Sequence, residues 1–152
     1  MTNSLSELQL HEVEIHYKRP VLNDKLKIKS SENSVRLLRQ FIDTKRIDYK
    51  EFFWVLLLNN NNQLLGISEI AMGTTNGVTV NIKEVFQLAL LTNATSIIVA
   101  HNHPSGKLTA SDSDKRITQK LKKASKLLDL TLLDHLIITS EDFMSYSDSK
   151  WE

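Results

Sequence analysis

The sequence predicts an α/β domain built on a single mixed β-sheet sandwiched by helices, and three observations carry that expectation. Short apolar runs of strand length alternate along the chain with segments of helical periodicity. One of those runs, Ser96-Ile-Ile-Val-Ala100, is apolar on both faces, as a central strand covered from two sides must be. Clusters of Asn, Gly and Pro punctuate the runs at turn positions.

In chain order, residues 1–9 are polar and lack periodicity. Residues 10–18 alternate, with Val13, Ile15 and Tyr17 on one side and Glu12, Glu14, His16 and Lys18 on the other, which predicts a strand with one wet face. Residues 20–31 read as a connector. Ser34 is the expected cap of a helix over 35–44, whose inner stripe is Val35, Leu38, Phe41 and Ile42. Residues 52–58 are aromatic and aliphatic and too few for a typical helix, so they predict a buried strand. The Asn59–Asn62 cluster turns the chain into a second strand over 64–72, giving an antiparallel hairpin. Residues 73–77 make a further turn, and 78–80 a short extension.

Asn81 with Glu84 three positions on marks a helix start, and Ile82, Val85, Phe86, Ala89 and Leu90 then repeat at helical spacing to about residue 92. After the strand over 96–100, residues 101–110 form a loop with Pro104 and Gly106. Ser111 caps the next helix, with Ile117, Leu121, Ala124 and Leu128 inward. Residues 131–139 return as a strand interrupted by Asp134-His135, and the polar tail carries Phe143, Tyr146 and Trp151 as anchors. The division expected is an N-terminal extension with one strand over 1–30 and a domain over 31–152.

Composition bounds the chemistry. A chain of 152 residues suffices for one domain with its own core. It has no cysteine, so disulfides and thiolate metal sites are excluded and any metal must sit on His, Asp or Glu. No apolar stretch approaches the ~20 residues of a membrane span, and the N-terminus lacks a signal pattern, so a cytoplasmic protein is expected. Net charge is only +1, yet residues 115–126 carry Lys115, Arg116, Lys120, Lys122, Lys123 and Lys126 without an acid. A solvated helix face explains such a run, and a DNA-binding surface is the alternative. The apolar hairpin edge offers a surface on which two copies could pair as a homodimer.

The richest segment runs from His101 to Asp114. His101 and His103 sit at the end of an apolar strand, where side chains two apart point the same way. Pro104 and Gly106 provide for a reversal that would fold the first turn of the next helix back over the strand end. Asp114 lies in that turn, where the helix dipole favours its ionised form. Two imidazoles and a carboxylate are three of the four ligands of a hydrolytic zinc site, and water takes the fourth place. Each fragment has a plain structural explanation: H-x-H pairs are common, and Ser111-x-x-Asp114 is by itself a capping box. Their combination at fixed spacing points to a metal centre. The contiguous His-Asn-His is not the dispersed triplet of HNH nucleases, and a zinc deaminase would need cysteines.

Glu69 is a charged residue in an otherwise apolar strand, a costly placement unless it has a partner such as a metal-bound water; a wet-face position on an edge strand is the alternative. Glu84, three after Asn81, is explained as a helix cap.

The pattern H-x-H-x7-S-x-x-D is similar to that of JAMM metalloproteases. The flanks Ala100-His-Asn-His-Pro-Ser-Gly106, Val85-Phe-Gln-Leu-Ala-Leu90, Asn93-Ala94 and Leu133-Asp-His-Leu-Ile-Ile138 resemble the RadC family, over roughly residues 34–139. The resemblance implies a JAB/MPN fold, of cytidine-deaminase-like architecture, with one Zn2+ on His101, His103 and Asp114. It implies an upstream-strand glutamate as general base, placed at Glu69 before the Gly73-Thr74 turn, and Ser111 stabilising the oxyanion. It further implies a metallopeptidase or isopeptidase acting on a protein or peptide through a zinc-activated water. JAMM motifs usually place Ser or Thr where this chain has Asn102, as RadC-like sequences do. RadC-like proteins often carry a helix-hairpin-helix region ahead of this core; with some 30 residues before the core pattern, this chain is expected to lack it. The alternative function is a DNA-repair-associated DNA-binding module or nuclease with a structural or non-peptidase zinc site.

Overall fold

The computed structural model describes residues 8–70 and 79–151. The elements are α1 (Ser31–Phe41), β1 (Phe53–Leu58), β2 (Leu64–Ile70), α2 (Ile82–Leu91), β3 (Ser96–Asn102), α3 (Asp112–Leu127), β4 (Thr131–Ile138) and β5 (Phe143–Ser145). The strands make one five-stranded sheet in the order β2-β1-β3-β4-β5. Only β3 and β4 run parallel, and α3 is the crossover between them. The mixed sheet covered by helices agrees with the fold class expected.

Alternation along β1 divides its side chains between two cores. Phe53, Val55 and Leu57 join Ile97 and Val99 of β3 beneath α2 and α3, where Val85, Phe86, Ala89 and Leu121 complete the layer. Trp54, Leu56 and Leu58 join Ile98, Ala100, Leu136 and Ile138 on the opposite face, beneath Val35 and Leu38 of α1. Every residue of β1 and β3 is buried, as the doubly apolar run over 96–100 predicts.

Several expectations are corrected. Residues 10–18 form no strand: Leu10, Val13 and Ile15 are 87%, 93% and 98% exposed, and no ladder partner faces them among the described residues. Period-two patterning needs a sheet edge to act on, and this segment reaches none. The first helix begins four residues early. Ser30 is its cap, accepting from the Asn33 amide, while Ser34 is buried inside the first turn and its hydroxyl donates to the Ser30 carbonyl. Ending at Phe41, the helix leaves that ring half exposed instead of inside. Strand β3 continues through His101 and Asn102, which extends the ladder to the loop itself. The tail adds β5, paired antiparallel with β4. The turn expected over 73–77 lies outside the described residues; beyond it, Val80 packs into the α2–α3 core.

Candidate metal centre

The site is built where β3 ends and α3 begins. His101 opposes Phe53 of β1 and Ile137 of β4, so its ring lies on the α2–α3 face. His103 follows on the same side, its amide donating to the Ile138 carbonyl. Directly after it the chain reverses: the Gly106 amide donates to the His103 carbonyl, and Gly106 takes φ +82°, a conformation that a side chain would strain. The reversal delivers the first turn of α3 over the end of β3. There Ser111 and Asp114 form a reciprocal capping box, the Asp114 amide donating to Ser111 Oγ and the Ser111 amide donating to Asp114 Oδ2.

Three expected ligands converge. His101 Nε2 and His103 Nε2 are 3.0 Å apart, His101 Nε2 is 3.3 Å from Asp114 Oδ1, and His103 Nε2 is 3.2 Å from Asp114 Oδ2. All three residues are buried. Zinc–nitrogen bonds of ~2.0–2.1 Å at tetrahedral angles set donors ~3.3–3.4 Å apart; in this triangle of residues each imidazole Nε2 lies near that distance from a carboxylate oxygen, His101 from Oδ1 and His103 from Oδ2. It is the group of residues suited to hold a metal ion among those described.

Hydrogen-bond partners fix which imidazole nitrogens face the triangle. His103 Nδ1 lies 2.7 Å from the Lys107 carbonyl, which can only accept, so Nδ1 carries the proton and Nε2 keeps its lone pair. For His101 the tautomer is fixed through two more residues, Thr118 and His135. The Thr118 hydroxyl donates to the Asp114 carbonyl at 2.8 Å, so toward His135 Nδ1, at 2.6 Å, it can only accept. His135 Nδ1 is therefore protonated and its Nε2 accepts from His101 Nδ1 at 2.8 Å. That leaves His101 Nε2 unprotonated as well. Two lone pairs and a carboxylate aimed at one point call for a cation.

The electrostatics agree. Burial alone would raise the Asp114 carboxyl, but its two imidazole neighbours, His101 and His103, and the Ser111 amide outweigh it and hold the group ionised far below the usual carboxylate range. The bond to Asp114 raises His103 against its own burial, a proton standing in for the cation. Burial, and then the charge of His101, push His135 well below the usual imidazole range, so it stays neutral. The Tyr146 ring stacks on His135 at 4.8 Å and fixes its plane.

The structure does not bring Glu69 to this centre. Glu69 opposes Trp54, and Trp54 opposes Ala100, which puts it on the α1 face, across the sheet from His101. There both guanidinium nitrogens of Arg46 approach the carboxylate at 3.3 Å and the Trp54 indole donates to it. Its cost in an apolar strand is met by that arginine, so it needs no metal partner. Glu51, two residues before β1, is the other acidic residue whose charge is felt at the donors. It is half buried, and its charge adds to the pull that raises His103. Its signal in the sequence was its place at the mouth of the aromatic run, two residues before Phe53.

Ser111 stands at the rim, exposed, its oxygen accepting from the Asp114 amide and its hydroxyl hydrogen free to be donated outward. Thr118 had no signal beyond lying one turn after Asp114. The interruption Asp134-His135 was the signal for His135. Its neighbour Asp134 serves elsewhere, accepting from Ser145 Oγ and the His135 and Ser147 amides. Between the starts of α2 and α3 lies a cavity of about 210 Å³, floored by Val80, Ile82 and Ile117 and edged by Ser113, Arg116 and Lys120.

A domain with this sheet, this crossover helix and a His-x-His…Asp centre is of the JAB type. The RadC-like JAB domain family model matches residues 28–151. A UPF0758 protein of Flavobacterium johnsoniae is 41% identical over 122 residues, 80% of this chain and 52% of that protein. UPF0758 proteins of Haemophilus ducreyi and Saccharophagus degradans are each 38% identical, over 78% and 83% of this chain and 54% and 57% of their own lengths. The chain belongs to the RadC family of JAB domains. It spans about half the length of these relatives. Among the described residues no helix is long and apolar enough to cross a membrane.

Proposed function

We propose that this chain is a zinc-dependent hydrolase of the JAMM type, cleaving an amide bond as a metallopeptidase or isopeptidase. The observation that supports it best is the buried convergence of His101 Nε2, His103 Nε2 and the Asp114 carboxylate, with both imidazole tautomers fixed by their outer hydrogen bonds. His101, His103 and Asp114 would hold Zn2+. When bound, zinc supplies a Lewis acid that polarises the scissile carbonyl and lowers the pKa of a water from about 15.7 to about 7.

The chain's own groups do the rest. Glu51 accepts the proton of the attacking water and returns it to the departing amine. Ser111 donates its hydroxyl hydrogen to the oxyanion; loss of one such donor costs roughly 10²–10³ in rate. His135 and Thr118 keep His101 in the ligating tautomer. The substrate is a protein or peptide, and the cavity edged by Arg116 and Lys120 takes one of its side chains.

The test uses purified protein. Metal analysis should find about one zinc per chain, lost in H101A and in D114A. Zinc-loaded protein is then offered a peptide library, and cleavage is read by mass spectrometry. E51Q should keep zinc and lose cleavage, whereas E69Q should keep both. A zinc-loaded E51Q as active as the parent removes Glu51 from this role.

A second reading, a DNA-binding module with a non-peptidase zinc, rests on the basic residues of α3, most of them exposed. Filter binding across a salt series separates the two, since phosphate contacts weaken steeply with salt. No retention at low salt dismisses the DNA reading.

A further inference from the structure

Asn102 sits between the two ligand histidines and points the other way. It is fully buried. Its Oδ1 accepts the Phe52 amide at 2.6 Å, and its Nδ2 donates to the carbonyls of Ile47, at 2.6 Å, and Lys50, at 2.9 Å. One planar amide thus satisfies a backbone donor and two backbone acceptors that the sheet does not reach. An asparagine carries one acceptor and two donors in the fixed plane this needs. Aspartate cannot donate to the carbonyls, and serine has a single hydroxyl hydrogen. The groups held bracket Glu51 on both sides, the Lys50 carbonyl before it and the Phe52 amide after it.

We propose that Asn102 is a positioning residue, whose amide clamps segment 47–52 so that the Glu51 carboxylate is presented to the metal donors. The clamp and the ligands share one strand: His101 and His103 project to one face, and Asn102 grips the base-bearing segment from the other. The relative placement of donors and carboxylate is then set by the rigid backbone of β3, with no flexible loop in between. The preceding turns need the clamp, because 43–49 carries only two backbone turn bonds, Arg46 to Asp43 and Tyr49 to Arg46. The functional half of this inference rests on the reading of Glu51 as proton carrier; the structural half stands without it.

The experiment compares wild type, N102A and N102S as full-length, zinc-loaded proteins. N102S supplies a single hydroxyl in place of the amide and guards against an alanine variant that does not fold. Amide exchange of Phe52 should speed up at least tenfold in N102A, while that of Val99, in the middle of β3, stays as in wild type. Zinc affinity, by competition with a chromophoric chelator, should stay within threefold, because the ligands are held from the other face. Crystal structures of the variants should show the Glu51 carboxylate displaced and His101, His103 and Asp114 in place. With a peptide found by the library screen as probe, kcat should fall while KM holds, and the E51Q/N102A double variant should be no slower than E51Q.

An unchanged Phe52 exchange rate, or a Glu51 carboxylate that stays put in N102A and N102S, overturns the clamp. Additive losses in the double variant overturn its link to Glu51. A chain that binds no zinc or cleaves nothing refutes the proposed function instead, and the clamp is then judged on Phe52 exchange and the Glu51 position.

Discussion

Thr118→Val tests the tautomer argument with almost no change of shape. In the parent, the Thr118 oxygen accepts from His135 Nδ1 because its own hydrogen is committed to the Asp114 carbonyl. Valine offers His135 no acceptor. If His135 keeps its proton on Nδ1, a donor in a site 1% exposed is left unpaired, at about 1–3 kcal/mol. If the proton moves to Nε2, it points at His101 Nδ1, and the His101 proton must move to Nε2, into the triangle. The metal-free variant takes this second arrangement, and zinc must reverse it. The orphan-donor cost then appears in binding, and at 1.4 kcal/mol per factor of ten it weakens zinc by roughly 5- to 150-fold. Chelator competition reads the affinity, and long-range proton–nitrogen NMR reads the tautomers. Zinc bound within twofold of wild type, with His101 Nδ1 still protonated in the metal-free variant, refutes the reasoning.

Other expectations follow from particular contacts. Leu121→Ala, at a fully buried position under β3, should cost about 2–5 kcal/mol in urea unfolding. Ser30→Ala should cost ~0.5–2 kcal/mol through the lost cap of α1; no loss would mean that Ser30 is not the cap. Glu69→Gln breaks an ion pair whose partners are 43% and 36% exposed, so it should cost less than about 1 kcal/mol. His135 has a depressed folded pKa, so its contribution is present above the unfolded value of about 6.5 and is lost as pH falls below it. Metal-free wild type should therefore weaken in urea between pH 7 and pH 5 more steeply than His135→Phe; parallel slopes would contradict this.

The sheet was legible because most of its strands are sealed on both faces, and a buried strand writes its burial into every residue, as residues 52–58 and 96–100 do. The candidate metal group was legible because two of its residues share a strand end and the third sits in a helix turn whose cap is a local motif. What failed depended on contacts far along the chain. The alternation over 10–18 describes a strand only if some edge receives it. Glu69 looked like a functional charge because nothing local shows that Arg46 and Trp54 wait across 23 and 15 residues. Glu51 was passed over because it lies outside the strands, in a polar stretch tied to β3 only through Asn102, some 50 residues further on. Thr118 and His135 act through a proton whose place is set three bonds away, an arrangement without a sequence period.

Asp114 has a double employment with consequences for how the protein ages and is assembled. The oxygen that closes the helix cap also faces His103, so secondary structure and any metal held there draw on one atom. A cation on this group would add a tie to the start of α3, and its removal would let proteolysis or exchange reach that turn before the sheet beneath it. Conversely, a chain whose α3 has not yet nucleated presents two histidines without their carboxylate, so capture of a cation there would report that folding has passed this point.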